Sequence, residues 1–335
     1  MKVESESYGT TPEGRKFRLF TLSNEHGLKA GLSDFGATLV SLHVPDRQGK
    51  LADVTHGYDT LDGWMADKAY MGATVGRFGN RIAKGRFTLD GHTYQLATNN
   101  GPNHLHGGVK GFNKHLWEAQ PGESQVEFRR VSPDGEENYP GTLTARVTYT
   151  LTNANELRIE FHATTDKPTI VNLVHHTYWN LTGDPRRTIL DHELTLPADS
   201  YVPVGEDLIP TGKLAPVAGT PMDFNTPTAI GKRIAQVPGG YDHCWVLRGA
   251  VSLHDPVSGR FMEISTDQPG IQFYSGNFLD GSIRGKSGIK YQRHTGLCLE
   301  TERFPDAPNQ PAFPSAVVRP GDTYTHTMVH RFSVR

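Results

Sequence analysis

A chain of 335 residues holds one large domain or two ordinary ones and can bury a sizeable core. Its 34 basic and 36 acidic side chains leave a formal charge of −2, which argues against a nucleic-acid binder working through a basic surface. No apolar run approaches the roughly 18 residues of a membrane-spanning helix, and the opening Met-Lys-Val-Glu-Ser-Glu-Ser has no apolar stretch of the secretory kind. The two cysteines, Cys244 and Cys298, sit in apolar surroundings. Two buried free thiols are expected, and with them a cytoplasmic location.

Glycine (36) and proline (22) punctuate short alternating runs, the composition of an all-β protein with many turns. Val40, Leu42 and Val44 alternate before the turn at 45–49. Residues 61–68 have the pattern of a short helical turn. Phe87 and Leu89 lead into Asp90-Gly91, and Tyr94 and Leu96 return, which predicts a hairpin. Leu143, Ala145, Val147, Tyr149 and Leu151 alternate on odd positions. Asn153-Ala-Asn155 turns, and Leu157, Ile159 and Phe161 come back. This is the clearest hairpin in the chain. The stretch 171–181 alternates like one further strand. Strands are also expected at 193–196, 245–247, 262–265, 271–274, 297–300 and 323–332, with a second helical turn at 230–236. Long loops at 98–114, 200–228 and 303–315 are too specific in content for linkers, and loops of that length often carry function. These readings predict one domain over residues 1–335, a large antiparallel β-sandwich.

Five polar clusters stand out. In 171–181, His175 and His176 are adjacent, so on a strand they point to opposite faces and only one can serve a given site. That one is accompanied by Tyr178 and Asn180, or by Thr177 and Trp179. In 99–108, His104 and His106 have the spacing that can chelate a metal from one strand face. A third ligand such as His176 or Asp242 would be needed, and Gly107-Gly108 suggests a tight turn instead. No metal is assigned. Arg81, close to Gly79 and Gly85, offers five fixed donors to an oxygen-rich ligand. Asp242 and Gln272 are polar residues on or beside expected strands. Glu300 follows an apolar strand, and a carboxylate there needs a partner or a function. Glu302, two residues on and on the same face, is the exposed alternative; the residues alone do not choose between them.

The chain has no Gly-x-Ser-x-Gly elbow, phosphate loop or dinucleotide fingerprint. Carboxylate, imidazole, amide and guanidinium groups remain, with the aromatic residues Tyr178, Trp179, Phe278 and Phe304 near them. That mixture suits a carbohydrate, whose hydroxyls take polar partners and whose C–H face takes a ring. An acid and a base without a cofactor suggest proton transfer on the sugar. A glycoside-processing enzyme would be expected to show two carboxylates flanking a bond. A sugar-binding module would need no poised acid and base.

Several long motifs, in order, resemble the aldose 1-epimerases, also called galactose mutarotases. They are Gly76-Arg-x-x-Asn-Arg-Ile-Ala-Lys-Gly85, Leu105-His-Gly-Gly108, Ser132-Pro-Asp-Gly-Glu-Glu137 and Asn172-Leu-x-x-His176. Then come Pro269-Gly-x-Gln-Phe-Tyr-x-Gly-Asn-Phe-Leu-Asp-Gly281, Leu299-Glu-Thr301 and Pro305-Asp-Ala-x-Asn-Gln-Pro-x-Phe-Pro314. The resemblance covers nearly the whole chain. It implies a galactose-mutarotase-type β-sandwich that interconverts the α- and β-anomers of free hexoses such as glucose and galactose. It implies Glu300 as general base on the anomeric hydroxyl and His176 as general acid on the ring oxygen. It places Asn80, Arg81, His106, Asp242 and Gln272 on the sugar hydroxyls. It implies no cofactor, no metal, a small aldose as the only partner, and a monomer or weak dimer. His175 and Trp179 depart from the residues often found there. If His176 works protonated beside an ionised Glu300, the rate is bell-shaped in pH, with the alkaline limb belonging to His176.

Overall fold

The computed structural model describes residues 2–11 and 13–335. Its strands build three large antiparallel sheets and four two-stranded ones. In the largest, nine strands lie in the order Glu118–Pro121, Gln125–Ser132, Leu143–Leu151, Glu156–Thr165, Tyr324–Val334, Arg260–Thr266, Val251–His254, Glu193–Thr195 and Thr228–Ala229. The expected hairpin is at its centre, with Leu143 opposite Thr165 and Leu151 opposite Leu157. The last strand lies between Glu156–Thr165 and Arg260–Thr266, so the C-terminal segment joins the two halves of the sheet. Five strands within residues 2–53 form the second sheet. The third has six strands in the order Tyr178–Trp179, Leu297–Glu302, Gly270–Tyr274, Asp242–Leu247, Ala198–Val202 and Ala215–Pro216. One continuous core draws on all three, with Phe20 and Leu42 from the second sheet, Val147, Phe161 and Met328 from the first, and Trp245, Phe273 and Leu299 from the third. This is the all-β sandwich that the alternation of the sequence implied. Helix is confined to Leu61–Ala66 and to single turns, two of them at Ile230–Lys232 and Ile234–Gln236 where helical turns were expected.

The stretch 171–181 departs from expectation. It is not one strand but crosses the interior as short pieces. Val174–His176 pairs with Ala73–Val75, and Tyr178–Trp179 pairs with Leu297–Glu302. Side chains replace the missing ladder. Asn180 Nδ2 donates to the carbonyls of Arg187 and Thr295 at 2.8 and 2.7 Å. Asn172 Oδ1 accepts the Arg303 N–H at 2.9 Å. Asparagine can do this because its amide mimics a peptide group. Alternation survives the breaks, so neighbouring residues still face opposite ways.

The six-stranded sheet positions the site. Ile271, Phe273, Leu297 and Leu299 point into the common core. The even-numbered residues Gln272, Tyr274, Cys298, Glu300 and Glu302 therefore share the other face. Loops from 69–106 close over that face.

Candidate active site

Three adjacent strands bring the polar groups together. Glu300 is directly opposite Gln272, and Cys298 is opposite Tyr274, which is in turn opposite Asp242. Gln272 Nε2 donates to Asp242 Oδ1 across a diagonal at 2.6 Å. His176 enters from Val174–His176 and places Nε2 at 3.6 Å from Glu300 Oε1.

Backbone geometry supplies the rest. Arg81–Ile82 pairs with His104–Leu105, and residues at the ends of that pair turn inward. Asn80 and His106 have φ of 62° and 51°, a left-handed conformation that Asn and His adopt more readily than most residues. The Asn80 N–H donates to His106 Nδ1 at 3.1 Å. A neutral His106 ring therefore carries its proton on Nε2. Arg81 Nε donates to Asn100 Oδ1 at 3.1 Å. Gly107 lets the two loops touch, because a Cβ there would lie 1.8 Å from the Gly76 carbonyl oxygen. The motif at 132–137 does not reach the pocket. Instead, Arg77 donates to Ser132 Oγ and to the carbonyls of Ser132, Pro133, Pro140 and Gly141. Glu137 then accepts the N–H groups of Val109 and Lys110. The motif is a strut under the His106 loop.

All seven residues expected at the site line one cavity of about 380 Å³: Asn80, Arg81, His106, His176, Asp242, Gln272 and Glu300. That volume lies within the usual range for a small-molecule site, roughly 300–1,000 Å³. Tyr70, Tyr178, Tyr274 and Phe278 add aromatic walls. Two buried acceptors, Glu300 Oε2 and Gln272 Oε1, have no hydrogen-bond partner among the described residues. Buried polar atoms are normally satisfied, and both of these residues line the cavity, where a ligand's polar groups can reach them.

Burial governs the electrostatics. The Glu300 carboxyl is pushed well above its ordinary range by desolvation, then by Glu302 and Asp242, with Arg81 opposing. Glu302 is pushed up to about 8, mainly by desolvation, against hydrogen bonds from Asn80 and Asn172. Asp242 is raised by desolvation, with Arg81 and Gln272 opposing. His176 is pulled down to about 4 by desolvation. His106 goes well below its ordinary value through desolvation, then through His176 and Arg81. Burial thus favours the uncharged form of both, a protonated Glu300 beside an unprotonated His176. On these directions His176 titrates on the acid side and Glu300 on the alkaline side, the reverse of the order expected from the sequence.

Other expectations are corrected. His104 does not share a face with His106. It is buried between the Ala97 carbonyl, at 2.8 Å, and the Tyr139 hydroxyl, at 2.6 Å, because the positive φ at His106 ends the strand alternation. Glu302 is not exposed. It is fully buried and accepts from Asn80 Nδ2 and Asn172 Nδ2 at 3.1 and 3.3 Å. Asn180, Trp179 and Phe304 serve the interior and not the cavity. His175 is on the opposite side from His176, edge-on to Tyr149 at 5.7 Å and with Nδ1 at 3.2 Å from Thr177 Oγ1.

Sequence reasoning missed three residues. Tyr274 is two positions from Gln272 on the same strand, so alternation was enough to find it. Asn172 lies in a quoted motif, and its amide ties Glu302 to the backbone of Gly79 and Arg303. Tyr70 had no signal. It has φ of 59° and its ring is 4.5 Å from that of His106.

The family model described as Aldose 1-epimerase matches residues 18–331. The galactose mutarotase of Bos taurus is 49% identical over 342 residues, covering 100% of this chain and 99% of that protein. The aldose 1-epimerase of Escherichia coli K12 is 37% identical, covering 98% and 99%. Among solved structures, the GalM/aldose epimerase homologue from C. elegans superposes with a TM-score of 0.90 at 35% identity, covering 94% of this chain and 98% of that one.

Proposed function

The chain belongs to the aldose 1-epimerase family, and on that premise we propose that Glu300 and His176 exchange protons with the anomeric and ring oxygens of a free hexose. The protein is an aldose 1-epimerase, an isomerase acting on a sugar. The observation that carries the residue assignment is the 3.6 Å approach of His176 Nε2 to Glu300 Oε1 beside a cavity lined with hydroxyl-binding groups.

Ring opening takes a proton from O1 and gives one to O5. The base is Glu300 as carboxylate and the acid is His176 as imidazolium. This pair holds the same single proton as a protonated Glu300 beside a neutral His176. The proton can therefore move within the site without exchange with solvent. The open aldehyde turns about C1–C2, and reclosure runs the same transfers backwards. Each positioned proton transfer contributes about two to four orders of magnitude. Asn80, Arg81, His106, Asp242 and Gln272 hold the remaining hydroxyls, and Tyr178 and Phe278 cover the C–H face. Arg81 also favours the ionised Glu300. Glucose and galactose are the proposed substrates, and the buried free thiols support a cytoplasmic location.

Polarimetry on freshly dissolved α-galactose and α-glucose tests this reading. Mutarotation faster than the buffer rate, in proportion to added protein, is expected. Saturable sugar binding without acceleration would make the cavity a binding module instead.

A further inference from the structure

The pocket-facing side of the Leu297–Glu302 strand holds a thiol that the proposed chemistry does not use. Cys298 is fully buried, two residues before Glu300. Its Sγ lies 3.6 Å from His176 Nδ1, while Nε2 of the same ring lies 3.6 Å from Glu300 Oε1. One ligand atom each from His176, Cys298 and Glu300 lies within 4.8 Å of the other two. Imidazole, thiolate and carboxylate are the three ligand types that zinc takes, with bonds of about 2.0–2.3 Å. In a tetrahedral site such bonds place neighbouring ligand atoms about 3.3–3.7 Å apart. One ion takes only one nitrogen of the ring. The Nδ1–Sγ pair is already at that separation, and the Glu300 carboxylate, within the 4.8 Å span of the cluster, would turn to complete the set.

One further observation points to a cation. Glu300 Oε2 is buried without a hydrogen-bond partner among the described residues. Two of the three residues, His176 and Glu300, line the cavity.

We propose that His176, Cys298 and Glu300 form an inhibitory site for a thiophilic divalent cation of the zinc type. The cation is not a cofactor. It takes the lone pairs of the imidazole and the carboxylate that the epimerisation needs, and it excludes the sugar. No redox change is involved. As the metal–sulfur bond forms, the Cys298 thiol proton leaves to solvent, as does any proton on Glu300. Occupancy therefore rises with pH. Thiolate selects zinc or cadmium over magnesium or calcium. The inhibition rests on the catalytic reading of His176 and Glu300, whereas the binding does not.

The test uses the full chain after exhaustive chelation, which should leave the rate unchanged or higher. Titration with cadmium should give a thiolate-to-metal absorption band that saturates at one equivalent. Cys298→Ala should abolish the band and Cys244→Ala should keep it. Zinc should inhibit mutarotation reversibly, and magnesium should not. Cys298→Ala should raise the half-inhibitory zinc concentration at least tenfold, judged against the variant's own metal-free rate. Cys298→Ser, a poorer ligand of similar size, should behave alike and covers the case in which the alanine variant fails to fold. Absence of the band in the unaltered protein, or its survival in both Cys298 variants, would overturn the proposal. So would unchanged zinc sensitivity in those variants. A chain that shows the Cys298-dependent band but never accelerates mutarotation keeps the metal site and loses the catalytic reading.

Discussion

The two faces of the Leu297–Glu302 strand are equally buried and chemically opposite. Leu297, Leu299 and Thr301 point to the core, while Cys298, Glu300 and Glu302 share the opposite face, from which Glu300 lines the pocket, and none of the six is more than 2% exposed. Burial alone therefore does not mark the site. The difference is in what the polar groups meet. On the core side, Thr301 Oγ1 is satisfied by His326 Nε2 at 2.7 Å. On the pocket side, Glu300 Oε2 has no partner among the described residues, and its carboxyl is raised by desolvation and by like charges. The core face lowers the energy of the fold. The pocket face holds groups in states that suit a ligand better than they suit the protein alone.

The largest effect that sharpens this contrast comes from neighbouring substitutions on opposite faces. Glu300→Gln keeps shape and hydrogen bonding but cannot accept a proton. It should lower kcat by at least about a hundredfold, the scale of a general base, with sugar affinity largely kept. Leu299→Ala should do the reverse, costing about 2–5 kcal/mol of stability as a core truncation while kcat in the folded fraction stays near normal. Chemical denaturation and polarimetry on both variants check the pair. Equal loss of activity in the two would erase the distinction between the faces.

The adjacent histidines repeat the test across 171–181. His176→Asn should cut turnover by at least about a hundredfold, the low end for a general acid. His175→Asn should leave most activity, since His175 meets Tyr149 and Thr177 and not the cavity. A larger loss at His175 would show that the wrong face had been assigned.

A smaller effect appears in the pH profile. Below about 4, His176 gains its proton while Glu300 keeps its own, and the base is lost. On the alkaline side, the limb should fall well above the ordinary carboxyl range, where Glu300 releases its proton and the pair has no acid left. kcat/KM measured from pH 3 to 11 should be bell-shaped. An alkaline limb near the ordinary carboxyl value would contradict the assignment.

The smallest effect concerns stability. Glu302 titrates near 8 in the folded chain against 4.5 unperturbed. Between those values the native state binds more protons than the unfolded state, so stability falls as pH rises. Glu300 and Asp242, both raised, act in the same direction. Glu302→Gln should therefore flatten, without abolishing, the decline in unfolding free energy from pH 5 to pH 8. A slope equal to that of the unaltered protein would mean that Glu302 ionises normally.

Alternation and turn residues made much of the fold legible. The 143–161 hairpin has its expected register because a one-residue slip would turn Val147 and Phe161 out of the core. The same alternation separated His175 from His176. The resemblance in motifs then named seven residues, all of which line the cavity. It failed where polar side chains replaced backbone partners. The run 171–181 has the pattern of a strand, yet Asn172 and Asn180 satisfy carbonyls and amides that a ladder would otherwise serve. The role of the 132–137 motif was equally hidden, because a guanidinium clamping distant carbonyls leaves no periodic trace.

The sequence by itself determined which residues alternate and so which neighbours share a face, since side-chain direction along a strand is a local property of the backbone. It also determined that carboxylate, imidazole and guanidinium groups would be present without a phosphate loop or nucleophile elbow. Only the tertiary structure decided that Glu302 is buried, that Arg81 lies close enough to act on the Asp242 and Glu300 carboxyls, and that the proton rests on the carboxyl side of the Glu300–His176 pair. Desolvation and charge proximity depend on what packs around a group from every direction, and residues far apart in the chain supply that packing.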